Sequence, residues 1–157
     1  MNSNYIIPGG VAIGLTMSAC TLSAGVTGDW TASEFGDNTN LPAEESTTDS
    51  SGTYTTTTYL AIDMSIGVDD SVTLDVIYTA SITYNGEAYG SEDYGGTYTG
   101  TMTPVDGNYE ISLSGDNTDV ILDCQLTDTD ELDCDIVDPS DNSSQGTAIF
   151  VRAGIKS

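Results

Sequence analysis

The sequence predicts an all-β domain, specifically an eight-stranded antiparallel up-and-down β-barrel, with a β-sandwich as the alternative. Three observations point there. Apolar and polar residues alternate over long runs, as they do on a strand that buries one face and wets the other. The runs are separated by turn dipeptides, Asp106-Gly107 and Asn85-Gly86 among them. Thr, Ser, Gly, Tyr and Asp dominate the usage, and no apolar spacing of helical period appears. With 157 residues, 38% of them hydrophobic, the chain can bury the core of one domain.

The first segment to explain is not a strand. Residues 5–19 are uncharged and largely apolar and end in Ser18-Ala19 before Cys20. The run is short for a membrane-spanning helix and has the character of a secretory signal cut after small residues. Met17-Ser18-Ala19-Cys20 resembles the lipobox of bacterial lipoproteins, which implies lipidation of the Cys20 thiol after cleavage. A signal without lipid, or a buried N-terminal strand with an ordinary cysteine, are the alternatives. Thr21, rather than Asp, after the cysteine is similar to the Gram-negative sorting pattern that implies an outer-membrane anchor; without lipid, the protein is expected to be secreted or periplasmic. This divides the chain into a signal (1–19), a tether (20–25), a barrel (26–153) and a tail (154–157).

The strands follow in order. Residues 27–35 form the first. Residues 36–52 are polar and read as a lid-like loop or a disordered one. In 54–66, Leu60, Ile62, Met64 and Ile66 share a face. In 71–84, Val72, Leu74, Val76, Tyr78, Ala80, Ile82 and Tyr84 share one, broken only by Ile77 on the opposite side. A turn at 67–70 sets Ile66 opposite Val72 and Met64 opposite Leu74, so apolar faces match. The Asp106-Gly107 turn likewise pairs Met102 with Ile111 and Gly100 with Leu113. Tyr89 falls on the wrong parity relative to Tyr98 and Met102, which calls for a bulge near Gly90 or Gly95-Gly96. Two strands, about 119–126 and 131–137, flank the turn Thr127-Asp128-Thr129-Asp130, and 147–152 is the last.

Cysteine usage fits export. With Cys20 assigned to lipid, Cys124 and Cys134 remain. They share the parity of Leu122, Leu126, Leu132 and Ile136 and sit opposite each other in a hairpin centred near Thr129, so a disulfide is expected.

Charge and chemistry narrow the function classes. Asp and Glu number 25 against 2 Lys and Arg, giving a formal charge of −23. Such a surface repels phosphate backbones, so no nucleic acid partner is expected. The absence of His removes the commonest general base and metal ligand. Neither a nucleophile with a base beside it nor a calcium loop of EF-hand type is present. The densest acidic run, from Asp128 to Asp141, reads as solvated charge, with a weak calcium site involving Asp133 and Asp135 as the alternative. No catalytic residue, metal ligand set or cofactor is expected, and the chain does not read as an enzyme. Nothing in the residues sets an oligomeric state.

At the two ends of the barrel, Thr27-Gly28-Asp29-Trp30 resembles the Gly-x-Trp signature that opens lipocalin-like barrels. Ala148-Ile149-Phe150-Val151-Arg152 ends in the one Arg of the chain, which stands where that family places the Arg that packs across its Trp. The resemblance implies that Gly28, Trp30 and Arg152 close one end of the barrel. It also implies a small apolar or amphipathic ligand in the interior, where the inward set would be Leu60, Ile62, Met64, Leu74, Val76, Tyr78, Met102 and Ile111. The alternative is that those residues fill a solid barrel whose acidic exterior, with or without calcium, contacts other envelope components.

Overall fold

The computed structural model describes residues 25–116 and 118–154, most of which lie in antiparallel strands. In chain order these are β1 (Gly28–Phe35), β2 (Asn38–Thr39), β3 (Ala43–Thr48), β4 (Tyr54–Ile66), β5 (Ser71–Tyr84), β6 (Glu87–Asp93), β7 (Gly96–Val105), β8 (Asn108–Ser114), β9 (Asp119–Asp128), β10 (Glu131–Val137) and β11 (Ser144–Arg152). Eight of them, β1, β4, β5, β7, β8, β9, β10 and β11, form a closed barrel, because β1 pairs with β11 on one side and β4 on the other. The fold is the barrel and not the sandwich. Closure leaves these eight strands without a free edge along the paired length.

The registers follow the matching of apolar faces. Ile66 faces Val72, Met64 faces Leu74, Met102 faces Ile111, Gly100 faces Leu113 and Cys134 faces Cys124. The two cysteine sulfurs are bonded. Trp30, Phe150, Met64, Leu74, Ile111, Leu113, Leu122 and Leu132 are at most 2% exposed and form one contiguous core.

Two expectations need correction. Residues 36–52 are neither a lid nor structureless: they contain β2 and β3, and Leu41 between them turns into the core at 8% exposure. The Leu41 N–H donates to the Ser33 carbonyl at 2.9 Å, which ties this segment back to β1. Nor does the whole apolar face of residues 71–84 line the interior. β5 is 14 residues long, but only Ser71–Val76 pair with β7, and only Asp63–Ile66 of the 13-residue β4 pair with β1. Beyond those points β4 pairs with β3 and β5 with β6. The far half of the β4–β5 hairpin therefore leaves the barrel and becomes the centre of an open four-stranded blade, β3-β4-β5-β6, about 20 Å long at the rise of an extended strand.

The blade and the first and last described residues, Gly25 and Gly154, sit at opposite ends of the barrel. The turns β4–β5, β7–β8 and β9–β10 lie at one end with the start of β1 and the finish of β11. The excursions through β2–β3 and β6, and the turns β8–β9 and β10–β11, lie at the other.

Candidate functional site

The closed end is held by one side chain. Arg152 lies beside Trp30 in the β1–β11 register, with its guanidinium carbon 4.3 Å from the centre of the indole. Nε donates to Asp130 Oδ1 at 3.1 Å, Nη1 to the Thr27 carbonyl at 2.9 Å, and Nη2 to the carbonyls of Gly25 (2.8 Å) and Thr129 (3.2 Å). The Trp30 indole N–H donates to the Val26 carbonyl at 2.8 Å. Gly28 is required here for two reasons: its φ is +128°, and a Cβ would come within 3.0 Å of Arg152 Nη1. Gly28, Trp30 and Arg152 thus meet at one barrel end. Their donors are spent on the protein itself, which makes this a clasp.

The inward set divides in two. Ile62, Met64, Leu74, Met102 and Ile111 are 0–3% exposed and belong to the continuous core. A hollow large enough for a ligand would leave its lining side chains accessible, so this part of the barrel is filled. Leu60, Val76 and Tyr78 stand higher, half-buried, where the barrel gives way to the blade. Leu60 and Tyr78 line an open cleft of about 310 Å³ there, with Ala43, Thr58, Glu45 and Asp37. Its rim is polar, unlike the apolar walls of small-molecule pockets.

The barrel's outer wall carries rows of like charge. Glu110, Asp123 and Asp135 are direct cross-strand neighbours, as are Asp63 and Asp75. The Thr31 and Thr97 hydroxyls donate to Asp63 (2.8 Å) and Asp75 (2.6 Å). Asp133 and Asp135 share the exposed face of β10. Among the described residues, no group of three or more His, Cys, Asp or Glu is placed to hold a metal ion.

The blade carries the feature that sequence reasoning missed. Exposed large apolar side chains gather on it: Tyr54, Ile77, Ile82, Tyr84, Tyr89 and Tyr94, at 37–70% exposure. At its tip Tyr54 and Tyr84 are direct cross-strand partners with ring centres 4.9 Å apart. The register shift between Ile82 and Thr83 leaves Tyr89 as the extra residue of a bulge, next to Gly90 as the parity break required. The bulge brings the Tyr89 ring to 6.0 Å from Tyr54 and 6.4 Å from Tyr84. At the blade's base Tyr78 and Tyr94 lie 5.9 Å apart. The tip is stapled by Asp49, which accepts N–H bonds from Thr53 (2.8 Å) and Tyr54 (2.9 Å) and a bond from the Ser51 hydroxyl. These bonds, that of Ser51 foremost, hold its carboxyl below the ordinary value. The opposite face of the blade is a hydroxyl ladder, with Ser46 bonded to Thr57 (2.6 Å) and Thr48 to Thr55 (3.0 Å).

Cys20 and the signal, with residues 155–157 of the tail, lie outside the described residues. Comparison with protein-family models, with curated proteins and with solved structures finds no match to this chain.

Proposed function

We propose that this chain is an exported lipoprotein of the bacterial envelope, lipocalin-like in layout, whose barrel is a solid mount for the blade. The blade is the surface offered to other envelope components. The filled interior carries this reading. Ile62, Met64, Leu74, Met102 and Ile111, the side chains that would line a ligand, keep at most 3% of their surface. A drug-sized molecule needs several hundred Å³ of mainly apolar space.

The path of the chain supports an orientation. Gly25 is held at the clasp through its carbonyl, and Cys20 precedes it by five residues, a reach of about 18 Å when extended. Acyl chains on Cys20 would therefore keep the Trp30–Arg152 end at the bilayer and direct the blade away from it. Several acyl chains, at about 0.8 kcal/mol per buried methylene, hold a protein firmly where one does not. The charge of −23 keeps the body off anionic headgroups, so the blade stands clear of the surface.

Native mass spectrometry of the protein purified from its own membranes tests both parts. The expected species begins at an acylated Cys20 and retains no small molecule. A chain that still carries residues 1–19, or one without acyl mass, overturns the anchor. A retained apolar molecule at unit stoichiometry overturns the solid mount.

A further inference from the structure

Cross-strand pairing puts the blade's tyrosines and a set of carboxylates on one face. Tyr54 is opposite Tyr84, and Tyr84 is opposite Glu87. Two rungs down, Glu45, Thr58, Ala80 and Glu92 form a single row, since Glu45 pairs with Thr58, Thr58 with Ala80 and Ala80 with Glu92. Below that row lie Tyr78 and Tyr94, joined by the Tyr94 N–H to Tyr78 carbonyl bond of 2.8 Å. The face is thus banded: aromatic with Glu87 at the tip, acidic in the middle, aromatic at the base beside the Asp37–Glu45 cleft. The one Arg sits at the far end of the barrel, and no Lys or Arg stands among the described residues of the blade.

From this juxtaposition we infer that the tyrosine face docks a basic, arginine-bearing peptide segment of a partner protein. The inference rests on the blade being the working surface. Planar guanidinium groups stack on aromatic faces and pair with carboxylates, so Arg side chains suit both the tyrosine bands and the acidic row between them. The ring centres lie too close together for a cation to sit between them, so the tyrosines form a platform whose outer faces do the stacking. A second copy of the chain is disfavoured, because it would bring the same acidic face to a body of charge −23. A neutral oligosaccharide could stack on the rings and donate hydroxyls to the carboxylates, but it would leave the charge of Glu45, Glu87 and Glu92 uncompensated.

The test is fluorescence anisotropy of a labelled twelve-residue peptide of alternating Arg and Ser against the full chain. Three comparisons accompany it: the same peptide with Glu for Arg, unlabelled maltohexaose as competitor, and two ionic strengths. Tyr89→Ser removes a bulge side chain that is 70% exposed, so the pairing on either side of it is kept, and Trp30 fluorescence reports barrel integrity in every variant. The Arg peptide is expected to bind, the Glu peptide not to. Tyr89→Ser should weaken binding by about tenfold, the scale of an interface anchor. The combined Glu87→Gln and Glu92→Gln variant should weaken it more than Asp123→Asn with Asp135→Asn on the barrel wall. Equal losses for the blade and wall pairs would mean general polyelectrolyte attraction and overturn the inference. So would displacement by maltohexaose, or no binding of the Arg peptide. Such a failure leaves the anchored solid mount standing, since that reading is decided by mass.

Discussion

Arg152 joins more of the molecule than any other single side chain described. It makes four hydrogen bonds, to Asp130, Thr27, Gly25 and Thr129, and covers the ring of Trp30. Its replacement by Ala strands two carbonyls of the segment that enters β1 and uncovers the indole. Arg152→Ala is expected to destabilise the barrel by about 2–3 kcal/mol, combining charged hydrogen bonds with a cation–π contact. Arg152→Lys should recover less than half of that, because an ammonium has no planar fork to serve Asp130 and the carbonyls together. Urea unfolding followed through Trp30 measures both, and a Lys variant as stable as the parent would show that charge alone suffices. Asp49 offers a second residue-scale expectation, with a definite sign. Its folded pKa is lowered, so its contribution is complete above the ordinary value of 3.8 and is lost as pH falls through the depressed folded value. The backbone amide shifts of Thr53 and Tyr54, which it accepts from, should titrate together with a midpoint below 3.8 and stop titrating in Asp49→Asn. A midpoint at or above 3.8 would mean that the turn is open in solution.

Among the elements, the β9–β10 hairpin is the one whose covalent link can be tested directly. Cys124 and Cys134 face each other across the pair and are 0% and 3% exposed. Their bond closes a short loop, for which loop-closure entropy gives about 3 kcal/mol. Unfolding with and without reductant should differ by about that amount, and a smaller difference would show that the unfolded hairpin is already compact. This pair was legible from shared parity and the turn centred near Thr129, because a barrel wall is wet on one side and dry on the other and every shift of register changes faces. The same logic failed in the upper hairpin. Leu60, Tyr78, Ile82 and Tyr84 continue the apolar parity of Met64 and Leu74, yet nothing in alternation tells whether a second layer covers the face. Strand length carried the missing signal: β4 and β5 have 13 and 14 residues against 7–10 in the rest of the barrel. β3 escaped notice because Ala43–Thr48 has no apolar alternation and is held by pairing to the threonines of β4. Leu41 gave only a lone apolar residue before Pro42 in a polar stretch. Tyr89 gave the clearest clue, a parity break that the bulge resolves.

For the molecule as a whole the dominant long-range term is self-repulsion. A charge of −23 is spread over a small body, and the rows Glu110-Asp123-Asp135 and Asp63-Asp75 bring like charges to direct cross-strand distance, where they oppose pairing. Hydroxyls from Thr31 and Thr97 offset part of this locally, and the Arg152–Asp130 pair is the one salt bridge among the described residues. Salt therefore has many repulsions to screen and one attraction to weaken. The Debye length falls from about 30 Å at 0.01 M to about 3 Å at 1 M, so repulsion across the barrel is felt at the first and is nearly gone at the second. The melting temperature should rise between the two, by about 10 °C if screening relieves a few kcal/mol. Cation identity then separates solvated charge from a calcium site. At matched ionic strength, sodium, choline and calcium chlorides should give the same melting temperature, because screening depends on ionic strength and the described carboxylates form no metal-holding group. An extra rise with millimolar calcium, abolished by Asp133→Asn with Asp135→Asn, would establish a specific site on the β10 face instead. A melting temperature that falls with salt would mean that the clasp at Arg152 outweighs the entire acidic surface.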